Sequence, residues 1–416
     1  MSTGLPIQLA PMAATPRQIH PERCLRQRHQ HAACVYCQDV CPTGAIRFSQ
    51  RAVFLTADDC IGCGLCLSTC PVECFETSSW SERSLVSALD RVNAPTVEIV
   101  CKSHPAPQMG DEAVPVIQIG ACLGAVSPGA WYEVGLGAAA RVRLEHCSGC
   151  PLAEAARYTD KAVQLANAWL QSSGYAPTLL IAEERAPAPA STTRRTVVSV
   201  EQKIINRRSF LTFAFTRSSG APQQALTGLP EEEEIQQKLP PHTPTWLRNL
   251  SAIYPTSAAD VEARSVPSTV RHSAPETTET RWPTLSVESN CVACGACARY
   301  CPSGALSTTS AEGQYQHRFT PGFCLGCGLC AEVCNMGALT RSYAPDDAPF
   351  ETRVMRERPI GVCKKCGSPA LDMFDGLCYW CATEPPVRSV LNSAKGHLFP
   401  HSIVKASLNN AFNDAD

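Results

Sequence analysis

Cys291-Val292-Ala293-Cys294-Gly295-Ala296-Cys297-Ala298-Arg299-Tyr300-Cys301-Pro302 and Cys324-Leu325-Gly326-Cys327-Gly328-Leu329-Cys330-Ala331-Glu332-Val333-Cys334 decide how this chain folds. Each run separates its four cysteines by two, two and three residues. That spacing is too tight for disulfides within a run and suits several thiolates gathered around one metal centre. Three thiolates on one loop can cap three irons of a [4Fe–4S] cubane, while the fourth, on the turn that follows, reaches the partner cluster. The crossover assigns Cys291, Cys294, Cys297 and Cys334 to one cubane, and Cys324, Cys327, Cys330 and Cys301 to the other. Gly295, Gly326 and Gly328 allow the backbone to wind closely and turn amide N–H groups toward sulfide.

A second copy of this layout lies near the N-terminus, where Cys41-Pro42-Thr43-Gly44-Ala45-Ile46 parallels Cys301-Pro302-Ser303-Gly304-Ala305-Leu306. Its later run is regular, with Cys60, Cys63, Cys66 and Cys70. Its earlier run supplies Cys34, Cys37 and Cys41, but His31 stands where the first cysteine is expected, and Cys24 lies ten residues before Cys34. Either Cys24 loops back as the fourth thiolate or His31 ligates through its imidazole. Thiolates are the usual cubane ligands, so the assignment adopted is Cys24, Cys34, Cys37 and Cys70 for one cluster and Cys60, Cys63, Cys66 and Cys41 for the other. Cys74 takes the small apolar position filled elsewhere by Ala45, Ala305 and Ala338, and is expected to be buried and unligated.

These two segments resemble the bacterial dicluster ferredoxins over roughly 50 residues each. The resemblance implies a pseudo-twofold pair of hairpins and short helices around two low-potential clusters. Asn335 departs from the family, which has proline there. An asparagine restores a backbone N–H and adds a side-chain donor, either of which could bond a cluster sulfur.

Between the copies, alternation predicts strands at Val97–Val100, Val114–Ile119, Arg141–Leu144 and Thr178–Ile181. A helix is predicted from Pro151 to Gly174 with Leu152, Ala155, Ala162, Ala166, Trp169 and Leu170 on one face. This is a parallel-sheet pattern. Cys101, Cys122, Cys147 and Cys150 all follow strands, at the carboxyl edge where open α/β sheets hold ligands, so a further metal site such as a [2Fe–2S] cluster is expected. In cysteine placement and element order this stretch is loosely similar to the delta subunit of methyl-viologen-reducing hydrogenases. Near the C-terminus, Cys363, Cys366, Cys378 and Cys381 form two knuckles suited to a tetrahedral ion. The unit is similar to zinc ribbons; zinc is expected, with rubredoxin-like iron the alternative. With Cys74, these sites use all 25 cysteines.

The fold class expected is therefore multidomain α+β, with two ferredoxin-like modules (20–80 and 287–342) flanking a small α/β parallel-sheet domain (95–184). A proline-rich linker (185–286), a zinc-ribbon-like unit (358–384) and a tail (385–416) complete it. The linker carries Ala186-Pro187-Ala188-Pro189 and the acidic run Glu231–Glu234. It is expected to hold one short helix near 200–214, opened by a capping box of Ser199 and Gln202. Its Arg207-Arg208 pair reads first as chance or a basic helix end; the alternative is its resemblance to a twin-arginine stretch of nitrate-reductase accessory ferredoxins, which would make it a docking element.

A net charge of −2 gives no electrostatic case for nucleic acid or an anionic membrane surface. No stretch reaches the length of an apolar spanning helix, and no apolar leader core is seen between Met1 and Cys24. Thiolate ligation implies a reducing compartment, so the cytoplasm is expected. No dinucleotide fingerprint, phosphate-binding loop, hydrolytic set or organic substrate site is evident. The expected function is an electron relay through about four [4Fe–4S] clusters. Its partners would be redox subunits of a larger oxidoreductase of the formate dehydrogenase, hydrogenase or molybdoenzyme type. An accessory protein that assembles or proofreads a metalloenzyme is the alternative, and a sulfur-substrate reductase a third.

Overall fold

The computed structural model describes residues 18–29, 32–49, 51–77, 80–109, 113–182, 194–200, 239–255, 260, 281–311, 313–367, 369–371 and 373–382. His31, Arg207, Arg208 and the tail beyond 382 lie outside these residues, as do residues 201–214 of the expected linker helix.

The centre is a five-stranded sheet whose neighbours are all parallel: β1 (Thr96–Cys101), β2 (Val116–Ile119), β3 (Ala139–Arg143), β4 (Leu179–Ala182) and β5 (Val197–Val200), in the order β4-β3-β1-β2-β5. β1 is nearly continuous in apolar residues, as a strand covered on both faces must be, with Val97, Ile99 and Val100 buried. Around it run α1 (Glu82–Val92), α2 (Pro128–Gly137), α3 (Ala156–Ser172) and α4 (Thr245–Ile253). Ser81 caps α1 by accepting the Ser84 N–H, and Ser127 caps α2 by accepting the Ala130 N–H with Pro128 in its first turn. The helix expected from Pro151 begins as a 3₁₀ turn at Ala153–Ala155 and becomes α-helical at Ala156. Gly174 ends it at φ +79°, a conformation costly for any residue with a Cβ.

Two readings of the linker are corrected. Ser199 is not a helix cap: it lies within β5, paired beside Gln118. β-branched Val197, Val198 and Val200 favour the pleated edge position, and Arg195 anchors the strand by burying its side chain against Glu98 at 2.7 Å. The sheet domain therefore extends past 184. Nor is 239–255 linker alone, because α4 buries Leu247 and Leu250 and follows a stretch, 239–244, bonded to both cysteine-rich regions.

Each cysteine-rich region contains a short antiparallel hairpin in the same place. In the first, Ile46 pairs with Leu55 and Thr56 N–H returns to Ala45 O at 2.9 Å. In the second, Leu306 pairs with Phe319 and Thr320 N–H returns to Ala305 O at 2.9 Å. The second hairpin is longer and gains a third strand, Arg353–Pro359.

Segment 239–255 is a strap across the molecule. The Arg28 guanidinium donates to Leu239 O (3.3 Å) and Pro240 O (2.6 Å). His242 N–H donates to Pro302 O (2.7 Å), and the Thr243 hydroxyl to Ser303 O (2.8 Å). Glu73 accepts the N–H and hydroxyl of Thr245, placing a carboxylate at the N-terminus of α4. Trp246 then stacks on Trp169, which stacks on Trp282, and the Tyr254 hydroxyl meets that of Ser172 at 2.9 Å.

Candidate iron–sulfur and metal centres

Cys34 precedes the helical turn Tyr36–Asp39 and Cys37 sits within it. Cys24 reaches them because Pro21–Arg23 forms a 3₁₀ turn that folds directly into the helical turn Leu25–Arg28. Cys24, Cys34, Cys37, Cys70 and Cys74 line one pocket with Val53 among its apolar walls. The thiols of Cys24, Cys34 and Cys70 are close enough to Cys37 for each to raise its pKa further, after burial as the main cause. Burial, then Cys63, Cys60, Cys37 and Cys41, hold Cys66 well above an ordinary thiol. The chain thus gathers these cysteines in one region. His31, the alternative ligand, is outside the described residues.

In the second region, burial pushes Cys297 up to about 12, with further contributions from Cys294, Cys291 and Cys334. Burial likewise pushes Cys330 to about 12, aided by Cys327, Cys324 and Cys301. Here too cysteines of the two runs lie near one another. Gly62, Gly64, Gly295, Gly326 and Gly328 all have positive φ in the loops between cysteines.

The chemistry of these pockets fits a cubane. Four clustered thiolates repel one another and need a compact cationic core, without which the more buried of them retain their protons. The backbone also aims N–H groups at the crossing sulfurs. Cys74 N–H points to Cys70 Sγ (3.3 Å), Ala338 N–H to Cys334 Sγ (3.3 Å) and Leu306 N–H to Cys301 Sγ (3.4 Å). Such bonds favour thiolate and tune a bound cluster. Cys74 is buried, and its thiol donates to His20 O at 3.3 Å. Its sulfur also lies beside Cys24, and that contact is the largest reason why the Cys24 thiol falls below its ordinary value. It is therefore a hydrogen-bonded neighbour of the pocket as well as a packing residue.

At the sheet edge, Cys101 ends β1, Cys122 follows β2, and Cys147 and Cys150 follow β3. Strand order reverses between β1 and β3, so these residues sit at the topological switch point, where open α/β sheets form their binding crevice. Burial pushes Cys147 to about 12, with Cys101 and Cys150 adding to the rise; Cys122 is raised by burial and then by Cys101, Cys63 and Cys147. The same edge touches the first cysteine region: Cys122 N–H donates to Cys63 O at 3.0 Å, and Cys63, Cys122 and Cys150 pack around Leu65 and Leu152.

Beside this edge His104, Glu145 and His146 place their ligand atoms within 4.8 Å of one another. Arg143 already pairs with Glu145, and Ala106 N–H donates to His104 Nδ1 at 3.3 Å, turning the ring proton at Nε2 toward Glu145. These contacts oppose a cation there and make the trio an ion-paired rim of the cysteine edge. Position in sequence gave one sign of it, since His146 adjoins Cys147.

The C-terminal quartet is different in scale. Cys363, Cys366, Cys378 and Cys381 have all four sulfurs within 4.8 Å of one another, and Cys366 Sγ to Cys378 Sγ is 3.7 Å. A tetrahedral ion with bonds of about 2.3 Å to sulfur requires sulfur separations of about 3.8 Å. N–H groups of Cys378, Cys366 and Lys365 bring the Cys363 thiol down to about 6. Gly367 and Gly376 supply the positive-φ turns of the two knuckles.

Comparison with known proteins agrees with this geometry. Residues 290–338 match the model of a 4Fe-4S dicluster domain, and residues 32–81 match the LdpA Fe-S cluster-binding domain, a match that begins after Cys24. The chain is 50% identical over 42 residues to an uncharacterized ferredoxin of Methanocaldococcus jannaschii, covering 10% of this chain and 25% of that protein. Together these matches support an iron–sulfur, ferredoxin-like protein. No helix among the described residues is long and apolar enough to cross a membrane.

Proposed function

We propose that this protein is a cytoplasmic electron relay that carries four [4Fe–4S] clusters in two dicluster modules, with a further iron–sulfur site at the sheet edge and a zinc ion in the C-terminal ribbon. The ligands are Cys24, Cys34, Cys37 and Cys70; Cys60, Cys63, Cys66 and Cys41; Cys291, Cys294, Cys297 and Cys334; Cys324, Cys327, Cys330 and Cys301; and, at the edge, Cys101, Cys122, Cys147 and Cys150. The bound clusters supply the one-electron chemistry. The protein holds them in sequence, excludes water from the inner ones and sets their potentials through N–H···S bonds and neighbouring charge.

One observation carries this reading: the cysteine sets adjoin one another across the chain's modules. The edge site touches the first module through Cys122 and Cys63. Leu325 and Cys327 of the second module pack against the core that holds Cys24, Cys37, Cys66 and Cys70. An electron entering at the sheet edge thus has a path through the first module to Cys301/Cys324/Cys327/Cys330 and out at Cys291/Cys294/Cys297/Cys334, where Cys294 is exposed. The partners are subunits of a larger oxidoreductase of the formate dehydrogenase, hydrogenase or molybdoenzyme kind, to which the hydrogenase-delta-like edge domain and the ribbon would dock. Exposed Val362 and Phe374 on the ribbon support a docking role and keep the accessory-protein reading as the second choice.

Anaerobic iron and acid-labile sulfide analysis tests the proposal. About sixteen cubane irons per chain are expected, from four clusters of four; about eight after full reconstitution would remove one module. Metal analysis should find one zinc that a chelator extracts without bleaching the clusters. Red colour that bleaches on reduction and is lost in Cys378→Ser would replace zinc by iron.

A further inference from the structure

Arg28 is a buried cation whose surroundings are unusual. Its side chain comes from the helical turn that follows Cys24 and reaches the strap, whose next residues bond to Pro302 and Ser303 of the second module. Its neighbour His29 packs edge-on against Tyr300, the residue before Cys301, with ring centroids 5.3 Å apart. Its two terminal nitrogens donate to Leu239 O and Pro240 O of the strap, while Nε has no partner. Carbonyls satisfy hydrogen bonds but do not neutralise a guanidinium, and burial without a counter-charge is costly. Burial lowers its pKa, and Cys301 and Cys327 are the groups near enough to oppose that fall.

We propose that Arg28 is the positioning residue of the junction between modules: it holds the strap by two carbonyls and raises the potential of the cluster bound by Cys301, Cys324, Cys327 and Cys330. The proposal rests on the relay reading above. A cluster gains one negative charge when reduced, so a fixed cation beside two of its ligands stabilises the reduced form more than the oxidised one. The cluster's own net negative charge would in turn compensate the guanidinium, so that loading the cluster and closing the junction favour each other. The second module's cluster nearest the first would then attract the electron that arrives across the junction.

The test is an anaerobic EPR-monitored redox titration of the full chain, with Cys324→Ser used to identify the signal of this cluster by its loss. Arg28→Gln should make that signal harder to reduce by a factor of ten or more, about 59 mV for a one-electron couple, and leave the other clusters in place. Arg28→Lys keeps the charge but lacks the planar fork. It should hold the potential within threefold while exposing residues 239–244 to faster protease cleavage. No shift in Arg28→Gln, or an equal shift in every cluster, overturns the proposal, as does a lysine variant displaced as far as the glutamine one. Should Arg28→Gln fail to accumulate, the lysine variant decides: retained potential with faster cleavage supports the proposal, and a lost potential overturns it. A wild-type chain that shows no signal sensitive to Cys324→Ser would instead sink the relay reading itself.

Discussion

The two cysteine-rich modules reach the same geometry from different sequences. In the second, Cys291 lies three residues before Cys294, and one loop carries three thiolates. In the first, the thiol proposed for that place is Cys24, ten residues before Cys34 and beyond a turn of helix. The crossing cysteines, the hairpins and the N–H···S bonds from the fourth residue after Cys70 and Cys334 are alike in both. What is held constant is the position of sulfur around a cavity, and the chain between sulfurs is free to change. The inserted stretch is also put to use, because it delivers Arg28 to the junction with the second module.

The largest effect should come from attacking the irregular ligand. Cys24→Ala should remove one cubane, about four irons, whereas His31→Ala should leave four clusters. The reverse pattern would show that the first module departs from the second in ligand chemistry as well as in spacing. Cys74→Ala should retain all four clusters, since Ala338 and Ala305 fill the matching positions.

A smaller effect is expected from the strap that joins the modules. A Cβ at Gly129 would stand 2.9 Å from Trp246 Cε3 and 3.0 Å from its backbone oxygen. Gly129→Val should therefore lift α4 from α2 at a cost of about 1–3 kcal/mol, and Trp246→Ala should cost about 3 kcal/mol through lost packing on Trp169. Denaturation followed by intrinsic fluorescence checks both. Deleting part of 201–238 should cost little, because loop closure depends weakly on length, whereas deleting 240–244 should separate the modules. If the 240–244 deletion matches the other in stability, the strap is not what holds them.

Much of this was legible in the residues. The metal ligands could be grouped because their spacing repeats, and four of the sheet strands because their apolar runs are bounded by turns. β5 was missed because its four residues, Val197–Val200, are followed at once by a pattern that also reads as a helix cap. Edge pairing with β2 and the Arg195–Glu98 contact overrode that local preference. The α4 strap was hidden by its prolines, which read as extended linker. Pro240, Pro241 and Pro244 do extend the chain, but against two protein surfaces whose carbonyls and guanidinium need partners. α1 and α2 were missed although Ser81 and Ser127-Pro128 are usable start signals. α2 is apolar on nearly every side, so it shows no helical periodicity to find.

The finest difference between the modules lies one hairpin position from the cluster. Val53 pairs with Phe48 two residues before the end of the first hairpin; His317 pairs with Thr308 at the same place in the second. Val53 lines the pocket of Cys37, whereas His317 is buried with Nε2 3.3 Å from Cys297 Sγ. Burial, then the charge of Arg356, brings the ring down to about 4, so it is neutral at neutral pH and has one N–H to give. With Cys297 bound as thiolate, that N–H stabilises sulfur and raises the potential of the outer cluster of the second module. His317→Val should lower that one potential by up to tenfold in the reduction equilibrium, about 59 mV, without loss of iron. Arg356 keeps its bonds to Glu288 O and Ser289 O, so the pocket wall should hold. The reciprocal Val53→His should raise the potential of the cluster at Cys37, provided the ring fits the smaller site. Since the ring stays neutral from pH 6 to 8, neither shift should vary across that range; a pH-dependent shift would mean that the imidazole titrates and that its charge, rather than its hydrogen bond, separates the two modules.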